Sequence, residues 1–132
     1  QKQIRAAVGI SPANYNIWLP NPLPRDPIAW MSTTGMSDGT TPWDGGNGRG
    51  AKYAAERRAQ DNGCTAANIP TWNQSSPSRH ICYDYQGCEE NYPVKVCTYN
   101  GGHDPAPHDG GAGSDGLNSW VPTESWKFFT QF

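Results

Sequence analysis

The sequence predicts an α/β fold built on a parallel sheet, because short β-branched runs alternate with helical segments along the chain. The predicted order is strand, strand, helix, strand, helix, and helical crossovers are the usual connections between parallel strands. Loops rich in glycine and proline separate these elements. The 132 residues are enough for one domain, and we expect a single domain over 1–132.

Three short apolar runs predict the strands. The first covers 4–10 and is closed by a Ser-Pro pair, and the second covers 28–33 and ends before Gly35. The third covers 93–99 and runs into an Asn-Gly-Gly turn that carries His103. Three strands make a small sheet for this fold class.

Two helices are predicted. Residues 49–62 are rich in Ala, Arg, Glu and Lys and contain no proline, so they favour a helix that ends at Asn62-Gly63. A last helix opens at Pro122, and its Trp126 and Phe129, three residues apart, are expected to pack on the sheet.

The other stretches are predicted to be loops. Residues 14–27 contain four prolines, and 104–119 contain four glycines and two prolines. Residues 65–92 are expected to form a long surface excursion pinned by Cys82 and Cys88.

The composition is poor in core-forming residues. Leu, Ile, Val and Phe make up 16 of 132 residues, below the ~20% at which disorder becomes a concern. Six Trp, six Tyr, four Cys and a net charge of −2 argue against a disordered chain. We therefore expect a compact, aromatic-rich domain whose core is completed by chain outside these residues. The charge balance predicts no nucleic-acid partner, and no apolar run is long enough for a membrane span.

Four cysteines favour disulfides in an oxidising compartment, because none of them forms a CxxC pair typical of zinc sites. Three pairings are possible. An Asn-Gln-Ser triplet beginning at Asn73 is a glycosylation acceptor pattern and is consistent with secretion. The four cysteines are Cys64, Cys82, Cys88 and Cys97.

His103 is the first candidate catalytic residue. It lies on a turn at the predicted carboxyl end of a strand, the edge at which open α/β sheets place their chemistry. Imidazole has an unperturbed pKa near physiological pH, so His103 could act as a general base. The alternative is a solvated loop histidine.

Ser37 lies in a Gly-x-Ser-x-Gly motif at 35–39, the pattern of a nucleophile elbow. An elbow requires a helix directly after the serine. Here 39–46 contain three glycines and a proline, and no helix can begin there. We therefore reject Ser37 as the nucleophile.

Asp38 is the better candidate in this segment. It follows a predicted strand and precedes His103 in the chain, which is the acid-before-histidine order of α/β-hydrolases. Such an acid would accept a hydrogen bond from the imidazole and fix its tautomer. The alternative is a turn aspartate that bonds its own backbone.

Two further patterns are open to interpretation. His103-Asp104 followed by His108-Asp109 could be metal ligands, but the flanking glycines and prolines favour a rigid loop, and no metal or cofactor is predicted. Trp43 could stack on a sugar or phenolic ring, although packing is the commoner use of tryptophan.

Four stretches of the chain carry a recognisable pattern, at 85–88, 92–94, 101–107 and 126–132. Together they resemble the carboxyl-terminal half of fungal secreted feruloyl esterases, which are close to polyhydroxybutyrate-depolymerase-like esterases of the α/β-hydrolase superfamily. The resemblance covers most of the chain, and Gly35 to Pro42 is similar to the family's acid loop. Two departures are Thr33-Thr34, where the family usually has a His-Gly-like strand end, and 14–27, which lack its cysteine-containing loop.

The resemblance implies an α/β-hydrolase fold that is incomplete without an N-terminal half, as the same chain or a partner. It makes Asp38 the triad acid and His103 the triad base, with the serine and the oxyanion hole upstream of this chain. The implied activity is serine-type hydrolysis of hydroxycinnamoyl esters on plant cell-wall polysaccharide by a secreted enzyme without a cofactor. Acetylxylan esterase, polyhydroxybutyrate depolymerase and a non-catalytic or degenerate carbohydrate-binding module remain alternatives.

Overall fold

The computed structural model describes residues 4–12, 26–65, 68–73, 80–111 and 113–132. Over these ranges the chain forms four strands and two helices, and neither helix is long and apolar enough to cross a membrane. The predicted loop at 14–27 lies almost entirely outside the described residues. The elements are β1 (Ala6–Ile10), β2 (Ala29–Gly35), α1 (Ala51–Asp61), β3 (Ile81–Asp84), β4 (Val94–Tyr99) and α2 (Val121–Phe129).

The strands form one sheet in the order β1-β2-β4-β3. β1, β2 and β4 are parallel, with Val8 opposite Met31 and Ser32 opposite Val96. The bounds of these three strands and of both helices lie within two residues of the predicted bounds, which confirms the predicted elements. The sheet is α/β in class, as expected, and the two outer strands are β1 and β3.

The expectation of a wholly parallel sheet is wrong. Residues 65–92, predicted to be a surface excursion, contain β3, which pairs antiparallel with β4 and makes the sheet mixed. β3 is only four residues long and pairs on one side, with Cys82 opposite Cys97. A run this short carries little alternation, so its pairing depends on contacts with β4 rather than on its own sequence.

The helices cover opposite faces of the sheet. Even-numbered positions of β4 face α1, and odd-numbered positions face α2, as the two-residue period of a strand requires. The core on the α1 side contains Ala55, Ala59, Tyr85, Val94 and Val96. The core on the α2 side contains Ala29, Met31, Cys97, Tyr99, Trp120, Val121 and Phe128.

The predicted inner face of α2 is wrong. Trp126 is 72% exposed and Phe129 is 43% exposed, whereas Val121 and Phe128 are buried. Val121 and Phe128 are seven residues apart, which is two helical turns, so they share one face. The i, i+3 pair of aromatics therefore lies on a neighbouring face, because Phe128 and not Phe129 packs into the core.

The prediction of disulfides is confirmed, with Cys64 bonded to Cys88 and Cys82 bonded to Cys97. The first bridge joins the chain just after α1 to the chain just after β3. The second joins residues directly opposite one another in the β3–β4 ladder. Cys82 and Cys88 therefore belong to different bridges, and together the bridges tie β3 to β4 and the chain after β3 to the chain after α1.

We expect Phe128→Ala to lower the free energy of unfolding by about 3–5 kcal/mol, because its ring is 1% exposed and fills the α2 face of the core. Chemical denaturation followed by circular dichroism measures the change. Trp126→Ala is the control on the same helix and should change the unfolding free energy by less than about 0.5 kcal/mol. A larger loss for Trp126→Ala would contradict the observed orientation of α2.

Candidate active site

Asp38 and His103 lie on two loops that leave the sheet at the same edge. β2 ends at Gly35 and the parallel strand β4 ends at Tyr99, and these two residues are partners in the ladder. Asp38 follows three residues after the end of β2, and His103 follows four residues after the end of β4. Adjacent parallel strands therefore bring the two side chains together, as their positions at predicted strand ends suggested.

The two side chains are joined by a hydrogen bond of 2.9 Å between His103 Nδ1 and Asp38 Oδ2. The Asp38 side chain is fully buried, whereas the His103 side chain is 49% exposed. The structure thus places the acidic partner inside the fold and leaves the imidazole accessible to a molecule outside it.

The Asp38 carboxylate also accepts hydrogen bonds from its own turn. Oδ1 accepts from the amides of Thr40 at 2.8 Å and Thr41 at 2.7 Å, and Oδ2 accepts from the Thr41 hydroxyl at 2.7 Å. The turn-aspartate interpretation and the histidine-orienting interpretation therefore both describe this geometry. Oδ1 serves the turn, and Oδ2 faces the imidazole.

These hydrogen bonds keep Asp38 ionised. Burial alone raises the pKa of this carboxyl, but hydrogen bonds from Thr41, His103 and the Thr40 amide outweigh burial, so the pKa lies below its ordinary value of 3.8. An ionised carboxylate can only accept hydrogen bonds, so the Nδ1 of His103 must be the donor. In the neutral imidazole Nε2 is then the nitrogen without a proton, which is the tautomer a general base needs.

Thr41 is a site residue that the sequence analysis missed. Its hydroxyl lies 2.7 Å from Asp38 Oδ2, 3.1 Å from the carbonyl of Ser11 and 3.3 Å from His103 Nδ1. Ser11 is itself bonded through its amide to the carbonyl of Thr33 in β2. Thr41 therefore connects the pair to the chain that leaves β1. The available signal was a threonine three residues after an aspartate, the spacing of a turn in which the side chains bond back.

Tyr99 fixes the loop that carries His103. Its ring is 3% exposed, and its hydroxyl lies 2.9 Å from the Gly102 carbonyl and 3.2 Å from the Asp104 carbonyl. Burial raises the pKa of Tyr99, so the hydroxyl keeps its proton and can donate it. Asp104 Oδ2 in turn accepts from the Gly102 amide at 3.2 Å. The sequence analysis placed Tyr99 in a strand but gave it no role at the site.

The two loops touch through their backbones. The amide of Met36 donates to the Tyr99 carbonyl at 3.0 Å, and the amide of Ser37 donates to the Gly101 carbonyl at 2.9 Å. A β-carbon on Gly35 would overlap the carbonyl oxygens of Gly101 and Gly102. Glycine at 35 is therefore required for the approach of the two loops.

The other residues singled out in the sequence take no part in the hydrogen bond between Asp38 and His103. Ser37 is exposed, and the next helix begins at Ala51, so the elbow geometry that the motif requires is absent from the described chain. Trp43 is half-buried against the α1 side of the core.

Asp109 bonds His80, and the described residues hold no group of three potential metal ligands. Asn73 is exposed, and the rest of its acceptor triplet lies outside the described residues.

The fold and the site define an α/β domain with an aspartate–histidine pair at the carboxyl edge of its sheet. No protein-family model matches the chain. The chain is 40% identical over 107 residues to a probable feruloyl esterase C of Aspergillus clavatus, covering 79% of this chain and 33% of that protein.

Other curated proteins match similar shares of this chain and of their own length. The chain is 35% identical over 104 residues to feruloyl esterase C of Emericella nidulans and 29% identical over 107 residues to feruloyl esterase D of Neurospora crassa. It spans about a third of the length of the curated relatives it matches. The expected resemblance to fungal feruloyl esterases is thus confirmed as similarity to a region of these proteins.

We expect Gly35→Ala to destabilise the fold by about 1–3 kcal/mol, because the new methyl group must displace the loop that carries His103. Denaturant unfolding measures the loss, and the NMR signal of the His103 Nδ1 proton reports the broken pair. Gly116→Ala is the control, since nothing lies within 4 Å of a β-carbon there. A Gly35→Ala variant that keeps the wild-type Nδ1 signal would contradict the close approach.

Asp38→Asn should reduce the dependence of stability on acid pH. Because the pKa of Asp38 is lower in the fold than in the unfolded chain, its ionised form stabilises the protein above about pH 4. That contribution is lost as the pH falls through the folded pKa. Unfolding free energies between pH 6 and pH 2 test this, and the variant should lack this part of the acid destabilisation.

The exposed Asp44, whose pKa is also lowered, supplies the matched control variant Asp44→Asn. Asp44→Asn should change the acid dependence of the unfolding free energy less than Asp38→Asn does, because the hydrogen bonds of Asp44 are to solvent-exposed groups. An Asp38→Asn profile identical to the wild-type profile would contradict the bonded, ionised state of Asp38.

Proposed function

We propose that this chain supplies the acid, Asp38, and the base, His103, of a serine-type carboxylic ester hydrolase. The observation that carries the proposal is the 2.9 Å hydrogen bond between a fully buried carboxylate and a half-exposed imidazole. Similarity to a region of feruloyl esterases supports the same reaction class. The nucleophilic serine and the oxyanion hole are proposed to come from outside this chain.

The proposed reaction proceeds through an acyl-enzyme. The serine oxygen attacks the ester carbonyl while its proton moves to Nε2 of His103. The tetrahedral intermediate then expels the alcohol, whose oxygen takes that proton from His103. Water attacks the acyl-enzyme in the second half, giving its proton to His103, and the serine recovers that proton as the acid leaves. Asp38 stays ionised throughout and stabilises the transient imidazolium.

The proposed substrates are hydroxycinnamoyl esters of plant cell-wall polysaccharide. The names of the similar proteins support this class, and the half-exposed imidazole suits an ester carried on a large molecule. We also propose that the protein is secreted and that Asn73 carries a glycan. Two disulfides and the exposed position of Asn73 support an extracellular setting.

The N-terminal part of the same enzyme, in one chain or two, is the proposed partner, which makes 1–132 the carboxyl-terminal part of one α/β-hydrolase domain. β1 is the outer strand of the sheet on that side. Ile4, before β1, is 62% exposed, and Ile10, at its end, is 46% exposed. Apolar residues at an edge that no strand of the described ranges covers support further strands there, because parallel sheets are normally covered.

His103→Ala in the full-length enzyme should lower turnover of a hydroxycinnamoyl ester at least ~10³-fold, because no other group takes the serine proton. Steady-state hydrolysis measures the loss, and a serine-directed phosphonate should label the variant far more slowly than the wild type. Turnover near the wild-type rate would contradict the proposal.

The matched control is His80→Ala, which removes the second histidine bonded through Nδ1 to an aspartate in this chain. Its turnover should stay within a few-fold of the wild type. A full-length protein that neither hydrolyses the ester nor reacts with the phosphonate would instead favour the non-catalytic carbohydrate-binding alternative.

A further inference from the structure

A cavity of about 240 Å³ lies on the α1 side of the sheet. It is bounded by the first half of α1, by the segment at 68–71 and by the chain just past β3. Asp38 and His103 do not line it. Six of its lining residues offer an aromatic face or a polar group: Trp43, Lys52, Glu56, Asn68, Thr71 and Tyr85.

Tyr85 contributes a hydroxyl that needs an acceptor. The residue is 6% exposed, and among the described residues its buried hydroxyl has no hydrogen-bond partner. Burial, with help from the nearby charge of Glu56, raises the pKa of Tyr85, so the phenol keeps its proton. A buried donor without an acceptor is unfavourable, and a ligand oxygen in the cavity would satisfy it.

Trp43 contributes a rigid aromatic wall. Its carbonyl accepts the amide of Lys52 at 2.9 Å, which ties the residue to the first turn of α1. A β-carbon on Gly50 would lie 2.8 Å from the same carbonyl, so the backbone of Trp43 is closely packed against the start of α1, and its side chain packs against the α1-side core. A fixed indole that is only half-buried offers a flat apolar face to a ring-shaped ligand.

The rim supplies both donors and acceptors. The Lys52 ammonium only donates, the Glu56 carboxylate only accepts, and the Asn68 amide does both. A phosphate group would be repelled by Glu56, and a lipid chain would leave Tyr85 unsatisfied. A sugar ring fits all of these groups, because it carries hydroxyls that donate and accept together with an apolar C–H face.

We propose that this cavity is a saccharide-binding subsite, with a sugar ring against Trp43 and a ring hydroxyl accepting from Tyr85. The choice of a cell-wall sugar as the ligand rests on the proposed function, whereas the cavity and its lining groups are observed independently of that function. Trp43 follows Asp38 by five residues, so their Cα atoms are at most about 18 Å apart. A polysaccharide whose ester lies at His103 and that extends toward the α1 side of the sheet would then place another of its sugars in the cavity.

The test is binding of unesterified β-1,4-xylopentaose to the full-length protein, measured by isothermal titration calorimetry. We expect Tyr85→Phe to weaken binding about fivefold, the value of one hydrogen bond, without lowering the melting temperature. Trp43→Ala should weaken binding by at least about tenfold, with folding checked by circular dichroism. Trp126→Ala, which removes an exposed tryptophan of α2, is the matched control and should bind as the wild type does.

Weakened binding in both cavity variants with unchanged binding in the control supports the subsite. No binding by the wild type, or wild-type affinity in Tyr85→Phe and Trp43→Ala, overturns it. Ester hydrolysis by the same preparation is measured separately. Binding of xylopentaose without ester hydrolysis counts against the proposed esterase activity but supports the subsite. Ester hydrolysis without binding of xylopentaose supports the esterase activity but overturns the subsite.

Discussion

The buried carboxylate of Asp38 is the constraint on which this site depends. A charge removed from water must be bonded on every side, and here two amides, one hydroxyl and one imidazole supply those bonds. Satisfying the charge therefore fixes the turn after β2, the Thr41 hydroxyl and the orientation of His103 together. Satisfying one buried charge therefore organises two segments of chain that are distant in sequence, the turn at 38–41 and the loop that carries His103.

Sheet register makes this arrangement possible. Gly35 and Tyr99 are ladder partners, so the loops after β2 and β4 start side by side. Gly35 lets the second loop lie directly against the end of β2, and the Tyr99 hydroxyl holds that loop from beneath. The position of His103 is therefore set by backbone contacts and one buried phenol, before any side chain of the pair is considered.

The sequence could predict the features that depend on local pattern. Apolar runs located β1, β2 and β4, and the order of Asp38 and His103 after two strands predicted that they could meet. The failures share one cause, since each depends on contacts between segments. β3 is too short to stand out without β4. The inner face of α2 depends on which of its residues pack on the sheet, and the disulfide pairing depends on which segments become neighbours.

The two disulfides also affect the unfolded chain. Asp38 precedes both bridges and His103 follows both, and the pair is separated by 65 residues along the sequence. Through the overlapping bridges, the shortest covalent path between the two side chains crosses only about 40 residues. The shorter path lowers the free-energy cost of closing that loop by a few tenths of a kcal/mol. Formation of the two disulfides thus reduces the number of chain conformations that must be sampled before Asp38 and His103 meet. The disulfides therefore favour a contact in which no cysteine takes part.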